Sequence, residues 1–251
     1  MSVHCLLIEL GAPVASADPY IHLDALLSYA AMRETGYSPD DFEDGGSPEY
    51  FKDDVPLAHY RNGDDWVWAA SAAAVADPKA EGPNGLERWS TTRWRTHFDQ
   101  DPEHQIKQTQ INTSSGEFKS YNAALPYTPV DRLQFFYEPC DGTDAERVPE
   151  LIEKHVPGIG KKTAQGFGAI RNLRHTEASM FDSAVYHNGH VLRSLPAGYC
   201  DRVPEKTTIE RRTTRPPYWH PENQCMAFVP FTAVDRGLLT DTLSLPEAVP
   251  A

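Results

Sequence analysis

No stretch of this 251-residue chain approaches the roughly 20 consecutive apolar residues that a membrane-spanning helix needs, so no membrane partner is expected. Met1 to Leu10 lacks the basic region and long apolar stretch of a signal peptide, which sets the expectation of a cytoplasmic protein. Cysteine is scarce and scattered. Cys5, Cys140, Cys200 and Cys225 include no Cys-x-x-Cys pair, which argues against a zinc or dithiol redox site and for packed free thiols. An excess of positive charge is also missing. The net charge is −13, whereas nucleic-acid binders usually display surplus Lys and Arg. No internal repeat is visible. The apolar fraction of 40% is that of a folded protein, and the length suffices for one large domain or two small ones.

The charge that is present is segregated. Asp40 to Asp54 holds Asp40, Asp41, Glu43, Asp44, Glu49, Asp53 and Asp54 against Lys52 alone. Lys154 to His175 holds Lys154, Lys161, Lys162, Arg171 and Arg174 and no acidic residue. A local cationic groove on an acidic body is therefore compatible with the global charge.

Hydrophobic patterning predicts a buried first strand over Val3 to Leu10, stopped by Gly11-Ala-Pro13. Leu23, Leu26, Leu27, Ala30 and Ala31 recur at helical spacing, giving a helix from Asp18 or Tyr20 to Glu34 that ends near Gly36. Trp66 to Ala70 reads as a strand entered through the turn Asn62 to Asp65. Trp89 to Phe98 and Gln105 to Thr113 look extended, with polar side chains on both faces, and suggest a projecting hairpin. Arg132 to Tyr137 is the clearest strand by its aromatic content, and Thr143 to His155 follows as a helix. A glycine loop and a strand over Ala169 to His175 come next. The order strand, helix, strands, then strand, helix, glycine loop, strand fits an α+β ferredoxin-like body.

Pro157-Gly-Ile-Gly-Lys-Lys-Thr-Ala-Gln-Gly-Phe-Gly168 is the central motif. Its glycines free the backbone to take positive φ, exposed N–H groups in such a loop can meet phosphate oxygens, and Lys161 and Lys162 add point charges. A Walker A loop is excluded, because His155 stands where its first glycine belongs and two lysines precede Thr163. A helix-hairpin-helix DNA-binding turn requires a helix to run on past Ala164, against the cost of Gly166 and Gly168, about 1 kcal/mol each inside a helix. Arginines and aromatics also cluster: Arg93-Trp-Arg95, Lys119 with Tyr121, and Arg211, Arg212 and Arg215 ahead of Tyr218 and Trp219. Aromatic faces stack on unpaired bases while neighbouring cations meet phosphates; core or interface packing is the competing use.

The segment Gly-Ile-Gly-Lys-Lys-x-x-x-Gly-Phe-Gly, immediately before a strand, resembles the glycine-rich loop of RAMP proteins, the RNA-binding subunits of CRISPR effector complexes. Ile21 to Ala30 resembles the first helix of that superfamily. Ser115-Gly-Glu-Phe-Lys-Ser-Tyr121 and Arg215-Pro-Pro-Tyr-Trp219 are similar to segments of the type IV subunit that caps the 5′ handle of the guide RNA. This resemblance implies a ferredoxin-like (RRM-like) body over 1–175, with a β-hairpin thumb near 89–125 and a strand-rich extension over 176–251 packed on it. It implies a non-catalytic role without cofactor or metal: gripping the guide's 5′ handle, docking against the backbone RAMP subunit and the large subunit, and meeting target DNA only indirectly. Lys161, Lys162 and Gln165 would touch phosphates or sugars within the loop Gly158, Gly160, Gly166, Phe167 and Gly168. Arg93, Arg95, Lys107, Lys119 and Tyr121 would line the thumb, with His22, Arg211, Arg212 and Arg215 completing the RNA surface.

Two other functions compete with that role. Some RAMP proteins cleave guide precursors with a histidine as general acid or base and a lysine that stabilises charge, which singles out His22 with Lys161. The other is the helix-hairpin-helix DNA-binding protein. His187 and His190, in Tyr-His-Asn-Gly-His, have metal-ligand character, but no third ligand is apparent in sequence.

Overall fold

The computed structural model describes residues 2–16, 18, 20–36, 54–62, 65–75, 91–94, 121–124, 127–199, 207–216, 218 and 220–230. In chain order its elements are strands β1 (His4–Leu10) and β2 (Val14–Ala15), helix α1 (Leu23–Thr35), and strands β3 (His59–Asn62), β4 (Asp65–Trp68), β5 (Ala74–Val75), β6 (Thr91–Trp94), β7 (Tyr121–Ala124), β8 (Tyr127–Thr128) and β9 (Arg132–Tyr137). Helix α2 (Arg147–His155) follows, then β10 (Ile170–Glu177), β11 (Tyr186–His187), β12 (His190–Val191), β13 (Leu195–Pro196), β14 (Ile209–Thr213) and β15 (Gln224–Phe228).

The main sheet has the order β10-β1-β9-β5, and every neighbouring pair is antiparallel. Strand alternation assigns its two faces. Leu6, Ile8, Leu133, Phe135 and Tyr137 turn toward the helices and join Leu23, Leu27, Ala30, Val148, Leu151 and Ile152 in one buried cluster. The spacing of Leu23, Leu27, Ala30 and Ala31 makes the stripe that α1 lays on the sheet, and Gly36 closes the helix at φ 79. In α2, Val148, Leu151 and Ile152 do the same, while Pro149 sits in the first turn, where a missing N–H costs little. The opposite sheet face buries Cys5 and Phe136 under Ala178, Phe181 and Ala184.

The described residues also form four two-stranded pairings. β2 pairs with β8, β3 with β4, β6 with β7 and β11 with β12, all antiparallel. A second sheet of order β13-β15-β14 packs Leu195 and Phe228 against Val67, Val185 and Val191. The architecture is thus α+β, as the alternation of elements in the sequence indicates.

Several boundaries differ from the sequence reading. Helix α1 starts at Leu23 rather than Asp18 or Tyr20, because His22 is held extended and bridges Ala72. Helix α2 starts at Arg147, since Thr143 and Asp144 are occupied in turns in which Thr143 N–H donates to Cys140 O and Arg147 N–H to Asp144 O. The strand Thr91–Trp94 pairs with Tyr121–Ala124, and the segment Gln105 to Thr113 lies outside the described residues. Of the thiols, Cys5 is buried and Cys140 and Cys225 are half-buried, all free; Cys200 lies outside the described residues. Among the described residues no helix is long and apolar enough to cross a membrane.

Candidate nucleic-acid interface

The glycine loop begins where α2 ends and is built for close backbone approach. Gly158 bridges Ala169, so the loop closes on itself before β10. Ile159 is the buried anchor at its centre, and its N–H donates to Gly168 O at 2.9 Å. Lys161 N–H donates to Ala15 O (2.6 Å) and Gly168 N–H to Pro13 O (2.8 Å), which seats the loop along the segment that leads into β2. A Cβ on Gly160 would run into the Ala15 carbonyl, and one on Gly168 into that of Ile159, with φ of +91 and +60 at the two positions. These two glycines are present because two backbones touch there.

That arrangement corrects one expectation. The N–H groups of Ile159, Lys161, Gln165, Gly166 and Gly168 are all bonded within the protein, so these five brace the loop rather than face a phosphate. What the loop offers outward is side chains: Lys161, Lys162 and Gln165 are exposed and Phe167 is half-exposed. Lys162 stands at φ 61, a strained position for a lysine, and it heads a 3-10 turn over Thr163–Gln165. Three residues of 3-10 turn replace the helix that a helix-hairpin-helix motif requires across Lys161 to Phe167.

The loop also touches the root of the hairpin. Ala15 pairs with Tyr127 and Val14 with Thr128, and the Phe167 ring lies 6.4 Å from that of Tyr127. Tyr127 follows closely on β7, whose register with β6 sets Arg93 opposite Asn122 and Trp94 opposite Tyr121. The structure therefore brings the basic loop and the hairpin base together. Arg95, Lys107 and Lys119 lie outside the described residues. Elsewhere in the basic run, Lys154 bonds Glu34 at 3.1 Å and Arg174 bonds Glu9 at 2.6 Å, and Arg171 is exposed on β10.

The remaining sequence candidates are placed elsewhere. His22 is buried, 5% exposed, with its ring stacked on Tyr218 at 4.8 Å and 3° between planes. Burial, and then the charges of Arg193 and Arg212, hold its pKa well below 6.5, so the ring is neutral. It is a packed residue and not part of the surface. Arg212 pairs with Glu210 (2.8 Å) and Asp18 (3.4 Å) and lies over the Tyr20 ring. Arg215 lies over Trp66 at 4.8 Å and donates to Asn223 Oδ1. Both arginines are half-buried and engaged with neighbouring side chains; Arg211, by contrast, is exposed on β14. His187 stacks on Phe181 at 4.1 Å, and among the described residues no three potential ligands cluster to hold a metal.

Sequence reasoning missed the largest fully buried side chain, Arg193. Its Nη1 donates to the carbonyls of Trp68 (2.7 Å) and Ala70 (3.1 Å), and its Nη2 to Thr214 O (2.6 Å) and Asp24 Oδ2 (3.2 Å). The Tyr218 hydroxyl donates to Asp24 in turn. Burial is the largest influence and opposes the Arg193 charge, but Asp24 and Tyr218 together outweigh it and keep the guanidinium pKa above its ordinary value. The signal was present: Arg193 interrupts the apolar run Val191 to Leu195, and Asp24 stands on the apolar stripe of α1.

The fold is α+β, and in it a braced basic loop meets the root of a hairpin. The chain belongs to the family described as CRISPR type IV associated protein Csf3, which it matches over residues 6–230. The resemblance to type IV CRISPR-associated proteins read from the sequence is thereby borne out at the level of the family. Among solved structures it is similar to a chain in the "Cryo-EM structure of the Type III-B Cmr-beta bound to cognate target RNA", at 13% identity and a TM-score of 0.32 over 70% of this chain. This chain spans 61% of the length of that one. No curated protein matches it.

Proposed function

We propose that this chain is a non-catalytic RNA-binding subunit of a type IV CRISPR ribonucleoprotein, which grips the 5′ handle of the guide RNA and caps the backbone filament. The observation that carries this is the placement of exposed Lys161, Lys162 and Gln165 on a loop braced against the hairpin root. A rigid base holds cations at fixed spacing, so they meet a nucleotide backbone without an ordering cost at binding. The sheet order β10-β1-β9-β5, with α1 and α2 on one face, supports reading the body as ferredoxin-like, as RAMP subunits are. The pairing of β6 with β7 supports a thumb between them. Backbone and large subunits are its protein partners in this reading, and the cytoplasm its location. The absence of catalysis is supported by His22, the histidine best placed in sequence for acid–base work, which is buried against Tyr218.

The test is co-expression with the products of neighbouring genes, purification through this chain, and sequencing of the bound RNA. Small RNAs with one uniform 5′ end are expected. Random fragments, or none, would count against guide binding, and cleavage of a repeat RNA by the purified chain would restore the endoribonuclease reading.

A further inference from the structure

A second, chemically different surface lies between α2 and β10. β10 is an edge strand of eight residues, and among the described residues nothing pairs with its outer side. Ala178 N–H donates to Val3 O, and the register runs unbroken from His4↔Glu177 to Glu9↔Asn172. The alternation of an antiparallel ladder then turns the main-chain groups of Asn172, Arg174 and Thr176 toward β1, and those of Leu173, His175 and Glu177 outward. Leu173 N–H donates there to Asn172 Oδ1 at 3.0 Å, a local bond that an added strand has to replace. At its start the edge is covered, since Ile170 N–H donates to Pro157 O. Bulges, prolines and short length usually blunt such edges. Here the register shift lies only at the Glu9/Leu10 end, and the stretch from Asn172 to Glu177 is straight and free of proline.

Between this edge and α2 runs a groove of about 390 Å³. Its apolar floor includes Pro149, Ile170 and Leu173, and its wall carries Glu146, Glu150 and Glu153. The basic side chains facing it are Arg171 and His175; His175 lies 3.3 Å from Glu146, and Arg147 reaches Glu150 at 3.6 Å from the neighbouring turn. Glu153 is exposed and has no ion pair among the described residues.

From this edge and this wall we infer that β10 accepts an extended segment of a partner protein as an added strand, with lysine or arginine on the side that faces α2. Main-chain bonding to Leu173, His175 and Glu177 supplies the affinity, and the glutamates of α2 select basic side chains. Nucleic acid is disfavoured, because three carboxylates border the groove. The glycine-loop lysines project from a different segment, so the chain presents one face to RNA and another to protein.

The experiment is hydrogen exchange on the full chain with three probes: a capped peptide alternating valine and lysine and as long as β10, the same peptide with glutamate for lysine, and a single-stranded oligouridylate. The lysine peptide is expected to slow exchange at Leu173, His175 and Glu177 and to bind about three- to tenfold more tightly than the glutamate peptide. Glu150→Lys with Glu153→Lys, both on the exposed side of α2, is expected to reverse that order. The milder pair Glu150→Gln with Glu153→Gln should abolish the preference and serves if the reversal fails to fold. Three results overturn the inference: edge amides already protected in the free chain, by another segment or, if the mass is that of a dimer, by a second copy; protection by oligouridylate instead; or no protection by the lysine peptide.

Discussion

Gly160, Gly166 and Gly168 all take positive φ, but they do so for different reasons. Nothing lies within 4 Å of a Cβ placed on Gly166, so Gly166→Ala carries only the left-handed penalty, about 1–2 kcal/mol. At Gly160 and Gly168 the same methyl also meets a carbonyl oxygen, and overpacking adds roughly 1–3 kcal/mol. Urea unfolding should therefore rank Gly166→Ala as the mildest of the three; equal losses would mean that the loop is not braced on Ala15 and Ile159. His22 makes a second prediction at this scale. Its pKa is depressed in the folded state, so the unfolded chain binds the extra proton first as pH falls below 6.5. The stabilisation from a neutral His22 is complete above that value and declines beneath it. His22→Phe keeps an aromatic face on Tyr218 without the titration. Its melting temperature should fall less than that of the wild type between about pH 7 and pH 5, the usual His range. Parallel melting curves would exclude His22 as a source of acid sensitivity.

At the scale of elements, Arg193 holds three parts of the chain together: the carbonyls after β4, the first turn of α1 through Asp24, and the entry to Tyr218 through Thr214 O. Removing one partner strands a buried charge. Asp24→Ala is expected to cost about 3–5 kcal/mol in denaturant unfolding, while a change at the exposed Glu34 cluster should cost less than about 1 kcal/mol. Similar losses at both would show that the buried pair is solvated. This network also marks how far the sequence could be read. Strands β1 and β9 and the end of α1 at Gly36 were legible, because burial on one or both faces fixes the hydrophobic period and a glycine is needed at the left-handed stop. The starts of both helices were not, since turn bonding at Asp144 and the bridge of His22 to Ala72 are tertiary or main-chain events that leave no periodic trace. Likewise, Arg212 and Arg215 read as RNA-facing by composition alone. Tyr20 and Trp66, distant in sequence, provide the rings over which they lie, half-buried.

For the whole molecule, a net charge of −13 and an RNA-binding role are reconciled only if attraction is local. Lys161 and Lys162 act within a Debye length, about 8 Å at physiological salt, while more distant acidic surface is largely screened from RNA at the loop. Each cation that meets a phosphate on single-stranded RNA steepens the fall of binding with salt by about 0.7 in logarithmic slope. A Lys161→Ala, Lys162→Ala variant should thus bind a single-stranded 5′-handle RNA more weakly and with a slope shallower by about 1.4 across a salt series. Because the body is acidic, residual binding by the variant should weaken further at low salt relative to the wild type, where repulsion is least screened. Retained affinity with an unchanged slope would remove the loop from the RNA contact and leave it as a brace for the hairpin root alone. Loss of affinity with an unchanged slope would point to a folding defect, which the Gly166→Ala unfolding curve calibrates.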